Sequence, residues 1–237
     1  MEDTVLLSVN EGIATITLNR PKRHNAINQA LLIELYNHIE EVTNNDSIRV
    51  AVLTGNGKSF CSGVDLEAVK TENLFDPRGD GTDLPDLFAA CDKPIIAAVN
   101  GNAITGGFEM ALNCDFMIAS EKAAFADTHV KVGIHPGWGL TQILQENVNQ
   151  RRAKQISLTG QMIGAHRAFE WGLVNEIVPH EQLIPRTLQI AADIAGIDPN
   201  MLKTVKKLIE NRDTSTLQES KEHERKEFKK FLASMCP

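Results

Sequence analysis

The sequence predicts an α/β fold in a single large unit, and three observations carry that expectation. Two near-continuous apolar runs, "RVAVLTG" and "KPIIAAVNG", have the composition of strands buried on both faces. The stretches flanking them place apolar residues at helical spacing. The order strand, loop, helix, strand also recurs without near-identical sequence, which points to a wound α/β architecture and away from a repeat protein. At 237 residues the chain is long enough to bury a full core.

Taken in order, "VLLSV" and "IATITL" alternate and are separated by "NEG", the pattern of a hairpin. Leu31, Leu32, Leu35, Ile39 and Val42 then define a helix over 28–42, and "RVAVLTG" follows as a buried strand. Residues 71–86, rich in Gly, Pro and acid, are the best candidate for a mobile loop. "KPIIAAVNG" is a second buried strand, 106–113 a helix and "FMIAS" a third short strand. After Pro136 the chain turns mostly helical, through "WGLTQILQENV", "RRAKQISLTG", "AHRAFEWGL", 181–195 and 199–211. The final charged segment, with Leu217, Phe228, Phe231 and Leu232 as its apolar minority, reads as a solvated helix with one buried stripe. The expected organisation is a core over 1–195 and a helical segment over 196–237 within one functional unit.

Charge excludes several classes of partner. With 24 Lys and Arg against 31 Asp and Glu, the chain offers no broad basic surface for nucleic acid or an anionic membrane, so neither partner is expected. The acidic start "MEDTVLLSVNEG" resembles neither a secretory signal nor an Arg-rich transit peptide, and no apolar run reaches the length of a membrane span. Cys61, Cys91, Cys114 and Cys236 are scattered, without C-x-x-C or His at ligand spacing. A reduced cytoplasmic setting without structural zinc is the expectation.

Three motifs fail. Gly101 to Gly107 begins like a phosphate-binding P-loop, but Gly107 stands where the Lys is required. "GNGKSF" holds the tail of the same motif, with Val52 at its first glycine. Ser62 in "SFCSGVD" lacks the nucleophile elbow, because Phe60 replaces its first glycine.

What survives is a pair of turns. "FCSGVD" after "RVAVLTG" and "TGGFE" after "KPIIAAVNG" each place small residues where a strand should pass into a helix. Helix starts leave backbone N–H groups unpaired, and two of them converging on one oxygen would stabilise an enolate. Glu109, a lone carboxylate heading an apolar run, sits two residues beyond the Gly106–Gly107 pair.

Through "ITLNRPKRHNAIN", "VLTGNGKSFCSGVDL", "KPIIAAVNGNAITGGFEMALNCDFMIAS", "FADTHVKVGIHPGWG" and "LTGQMIGAHRAFEWGLVNEIVP", the chain resembles the enoyl-CoA hydratase/isomerase (crotonase) family over nearly its whole length. The resemblance implies the crotonase (ClpP-like) fold, made of repeated ββα units with a helical C-terminal region. It implies an acyl-CoA or enoyl-CoA substrate, no metal or separate cofactor, and assembly as a homotrimer or homohexamer. By position it makes the N–H groups of Val64 and Gly106 the oxyanion donors and Glu109 the base for the water that adds at Cβ. Ala26, Ser62, Val64, Asp65, Leu66, Glu67 and Gly106 would line the substrate and CoA path, with Lys22 and Arg23 near the phosphates or simply surface charges.

The chain departs from the family where hydratases carry a second Glu, four residues before the glycine of the following turn. Here that residue is His129, with Asp127 nearby. Hydration needs a proton at Cα as well as a base for water, and imidazole exchanges protons near neutrality. Trp138 stands where many members have a small residue. The expected activity is 2-enoyl-CoA hydration or its reverse, a lyase reaction of fatty acid metabolism. Double-bond isomerisation and catalytically silent acyl-CoA binding remain as alternatives.

Overall fold

The computed structural model describes residues 3–235, so Cys236 lies outside the described residues. The chain divides between Ala195 and Gly196 into two compact units. The larger opens with β1 (Val5–Asn10) and β2 (Ile13–Leu18), an antiparallel pair. Their connection, Glu11 and Gly12, has φ of 50° and 79°, the doubly positive backbone that lets a two-residue turn match strand twist. Helix α1 (Gln29–Asn44) starts at Asn28, whose side chain accepts the Leu31 N–H.

Three strand–strand–helix units follow. The first is β3 (Val50–Gly55), β4 (Ser59–Cys61) and α2 (Leu84–Ala90). The second is β5 (Ile95–Val99), β6 (Asn102–Ile104) and α3 (Gly106–Leu112). The third is β7 (Phe116–Ser120), β8 (Ala124–Ala126) and the single turn α4 (His129–Val132). Helices α5 (Leu140–Val148) and α6 (Gln150–Thr159), strand β9 (Ile163–Gly164), α7 (Ala165–Glu170), β10 (Glu176–Val178) and α8 (Leu183–Ala195) complete this unit.

Within each repeat the first strand joins one sheet and the second joins another. The larger sheet runs β1-β2-β3-β5-β7-β10, parallel from β2 onward, and the smaller runs β4-β6-β8-β9. Strand alternation sends Ala51 and Leu53 of β3 into the main core with α1 and α3, while Val50 and Val52 face α8. Burial on both faces explains the unbroken apolar runs in the sequence.

The fold is therefore the expected α/β arrangement of ββα units, with differences of detail. The smaller sheet is absent from the element-by-element expectation, because strands of two or three residues are too short to establish a period. The segment 71–86, expected to be mobile, is anchored: Leu74 is buried and α2 begins at Leu84. Arg78 donates to both Glu40 oxygens at 2.7 Å and lies 5.5 Å from the Tyr36 ring centroid.

The smaller unit contains α9 (Pro199–Glu210), capped by the Asp198 side chain, and α10 (Leu217–Met235). The expected buried stripe on α10 is not formed, since Phe228, Phe231 and Leu232 are each exposed. Two helices and a turn hold too little apolar surface to cover it. Among the described residues no helix is long and apolar enough to cross a membrane.

Candidate active site

The site is assembled around the start of α3. Strand β6 ends at Ile104, and Thr105 turns the chain at φ 53°, ψ −116°, a sparsely populated conformation that neighbouring contacts must enforce. The Thr105 hydroxyl contacts that of Thr128 and accepts the Thr128 N–H at 3.3 Å, which staples this corner to the start of α4. A Cβ on Gly107 would stand 2.2 Å from the Cys61 carbonyl oxygen, so α3 packs backbone to backbone on β4 only because residue 107 is glycine. The same approach brings Gly106 against Val64: a Cβ at 106 would lie 3.7 Å from Val64 Cγ2.

Gly106 is the first residue of α3, and its N–H has no carbonyl to pair with inside the helix. Val64 is freed differently from the expectation, because it does not sit at an α-helix start. It forms an isolated parallel bridge with Ile27, in which the Ile27 N–H donates to Gly63 O at 2.8 Å and the Asp65 N–H to Ile27 O at 2.9 Å. This pattern uses the groups on either side of Val64 and turns its own N–H away from Ile27. Neither N–H has a hydrogen-bond partner among the described residues.

Glu109 is 2% exposed on an entirely buried helix. Its Oε1 accepts the N–H of Trp138 at 2.8 Å and of Leu140 at 3.5 Å, while Oε2 lies 3.6 Å from His129 Nε2. Burial raises the Glu109 carboxyl above its ordinary value, against the pull of these N–H groups and the imidazole. His129 opens α4 and is buried with Nδ1 2.7 Å from Asp127 Oδ1, the oxygen that also accepts its backbone N–H at 3.1 Å. Burial pushes Asp127 up as well, but hydrogen bonds from His129 and Ser157 outweigh it and hold the carboxyl below its ordinary value.

A cavity of about 130 Å³ opens beside this array. Its walls are mainly apolar, with Val64, Leu66, Val69, Phe75, Ile134 and Trp138, while Ser62, Thr105, Thr128 and His129 supply polar atoms. Gly106 and Glu109 adjoin its walls: Trp138 Cζ3 is 3.3 Å from the position of a Cβ on Gly106, and Glu109 Oε2 is 3.6 Å from His129 Nε2.

The fold thus gathers Ser62, Val64, Leu66, Gly106, Glu109 and His129. Lys22, Arg23, Ala26, Asp65 and Glu67 lie outside the cavity wall. Lys22 and Arg23 are exposed in the turn Pro21–Arg23, and Arg23 faces Glu67 at 3.7 Å. The carboxylate of Asp65 is engaged within the chain. It pairs at 3.3 Å with Arg20, a half-buried cation absent from the sequence expectation that also donates to the Ala26 carbonyl. Burial acts to raise Asp65, but the Glu67 N–H and Arg20 bring it below its ordinary value. Two further contributors gave no local signal: the Trp138 N–H, and Asn113, which donates to the carbonyls of Glu109 and Trp138 at 2.8 and 2.9 Å.

Residues 8–235 match the family model described as enoyl-CoA hydratase/isomerase. The chain is 39% identical to a probable peroxisomal enoyl-CoA hydratase 1 of Arabidopsis thaliana over 84% of its length and 75% of that protein. It is 36% identical to the 2,3-dehydroadipyl-CoA hydratase of Escherichia coli K12 over 97% of its length and 91% of that protein. An enoyl-CoA hydratase structure from Bacillus anthracis superposes with a TM-score of 0.87 at 33% identity, covering 95% of this chain and 90% of that one.

Proposed function

Because the chain belongs to the enoyl-CoA hydratase/isomerase family, whose named relatives are enzymes, we propose that it adds water across the double bond of a 2-enoyl-CoA thioester, reversibly. The observation that carries this reading is the contact between Glu109 Oε2 and His129 Nε2 beside two N–H groups that are unpaired among the described residues. The Val64 and Gly106 N–H groups hold the thioester oxygen and stabilise the enolate that forms there. Glu109, with Oε1 fixed by the backbone and Oε2 left to water, takes a proton as the water oxygen bonds to Cβ. His129 supplies the proton at Cα.

Two proton-handling groups in contact support hydration over isomerisation, for which one base suffices, and over a binding protein with its chemistry lost. Apolar walls at Val69, Phe75 and Ile134 support an apolar acyl chain. Ser62 and Leu66 then flank the thioester end, with Lys22 and Arg23 reaching the CoA phosphates from their exposed turn. The exposed Phe228, Phe231 and Leu232 support a trimer or hexamer in which copies cover one another, and a monomer by light scattering would remove that part of the proposal. Activity is tested by loss of the conjugated-thioester absorbance of crotonyl-CoA on adding protein. Tight binding without turnover would leave the silent binder, and migration of the double bond without hydration would leave the isomerase.

A further inference from the structure

We propose that Asp127 is the positioning residue for His129, fixing Nδ1 as a donor so that Nε2 is the nitrogen that exchanges protons with Glu109 and with the substrate. The inference rests on the hydratase reading for its kinetic consequences, but not for its geometry.

Asp127 is 1% exposed, and its Oδ1 receives two donors from one residue, the His129 backbone N–H at 3.1 Å and Nδ1 at 2.7 Å. The two His129 donors, with Ser157 of α6 adding to their pull, hold this carboxylate below its ordinary value and so in the ionised form. An ionised carboxylate only accepts, so Nδ1 must carry hydrogen. The ring therefore points Nε2 toward Glu109 Oε2 at 3.6 Å and into the cavity that His129 lines. A carboxylate behind a working imidazole fixes tautomer and orientation together, as it does for metal-bound histidines. Lys131, the nearest cation on α4, is occupied by the Gly160 carbonyl, which leaves Asp127 and Glu109 as the anions on the imidazole.

The balanced cycle follows from this arrangement. Glu109 carboxylate takes one proton from water as the oxygen bonds to Cβ, and the π electrons pass to Cα and the thioester. His129, starting as an imidazolium with hydrogen on both nitrogens, then gives its Nε2 proton to Cα and keeps the electron pair, which leaves the neutral Nδ1–H tautomer held by Asp127. The enzyme is left with a Glu109 carboxylic acid facing an Nε2 lone pair, and transfer from Oε2 to Nε2 restores the starting state. The net change is one water added. Hydrogen bonds of this kind are often long before substrate binds and tighten in the complex.

The test is nitrogen NMR of the full chain with labelled histidine, at a pH where imidazole is neutral, together with crotonyl-CoA kinetics. In the unmodified protein His129 is expected as the Nδ1–H tautomer, and in Asp127→Ala it should revert to Nε2–H. In Asp127→Asn, which keeps the volume should the Ala variant not fold, kcat should fall about 10²-fold, the lower range for proton-transfer groups, with KM within about twofold. On a His129→Glu background, Asp127→Asn should cause no further loss of kcat, because no imidazole remains to be oriented. An Nε2–H tautomer in the unmodified protein, or equal losses on both backgrounds, would overturn the assignment. A protein that hydrates no enoyl-CoA would overturn the hydratase reading alone, since the tautomer still decides the role of Asp127.

Discussion

The backbone N–H of Trp138 donates to Glu109 Oε1 at 2.8 Å, so the residue whose ring closes one wall of the cavity also anchors the buried carboxylate behind it. Asn113 strengthens the clamp by bonding the carbonyls of both residues. Since the anchor is backbone, the side chain at 138 can be changed while the carboxylate keeps its donor.

Acyl-chain selectivity should therefore respond to residue 138 independently of proton chemistry. Trp138→Leu opens space beside Gly106 and should raise kcat/KM for an eight-carbon enoyl-CoA relative to crotonyl-CoA by about tenfold or more, the scale of a methylene or two in an apolar pocket. Leucine is preferred to alanine because truncating a buried Trp to Ala typically costs about 3–5 kcal/mol. A substrate panel with an unchanged ratio would show that Trp138 does not bound the acyl site.

Glu109 should trade stability for activity. Its carboxyl is raised by burial, so ionising it costs the folded state. That cost is absent below the ordinary carboxylate value, grows as pH rises toward the raised one and is complete above it. Glu109→Gln keeps an acceptor for the Trp138 N–H and should lower kcat about 10²–10⁴-fold. Its Tm relative to the unmodified protein should rise with pH across that window. The acid limb of kcat/KM should likewise lie above the ordinary carboxylate range. A Tm difference independent of pH would mean that Glu109 is not desolvated in solution.

The parts of this site that were legible in sequence are those whose signal is local. Glu109 announces itself as an acid in an apolar helix, His129 by its spacing to Gly133, and the long strands by runs such as Val50–Gly55. Arg20 and Asp65 are 45 residues apart, and Trp138 and Glu109 are 29 apart. No periodicity links such pairs, and one of the latter contacts uses a backbone N–H that every sequence would carry. The sequence frees the Val64 N–H through a helix start, whereas in the structure it is freed by a bridge to Ile27, a partner 37 residues away that no local pattern marks.

Close packing of α3 on β4 should make two glycines behave oppositely. At Gly107 an added Cβ meets the Cys61 carbonyl oxygen at 2.2 Å and Cys61 Cβ at 2.7 Å, neither of which can move without displacing the strand. Gly107→Ala should lower Tm by many degrees or prevent folding, an overpacking penalty at the severe end of about 1–3 kcal/mol or beyond. At Gly137 the same methyl meets nothing within 4 Å, and Gly137→Ala should leave Tm within about 2 °C, as expected for a surface change under about 0.5 kcal/mol. Equal effects in thermal melts would contradict the described contact.

The oxyanion role of Val64 and Gly106 needs a test that removes an N–H while keeping the side chains and backbone path. Gly106→Pro deletes the hydrogen but requires Thr105, at φ 53° and ψ −116°, to adopt the extended backbone favoured before proline, so any lost activity would be ambiguous. Replacing the backbone amide at 64 or at 106 by an ester, through the corresponding α-hydroxy acid, leaves both side chains in place and the Gly63 and Thr105 carbonyls as weaker acceptors for the Ile27 and Glu109 N–H groups. Each ester should lower kcat about 10²–10³-fold, the loss seen when one oxyanion donor is removed. Because the two N–H groups would hold the same oxygen, their effects should not simply add. An ester at Gln142 makes a suitable control: its N–H donates to Gly139 O at the exposed start of α5, away from the cavity wall, and turnover there should change little. If the three esters reduced rate alike, the two turns would serve only to pack α3 and β4, and stabilisation of the enolate would have to come from elsewhere in the site.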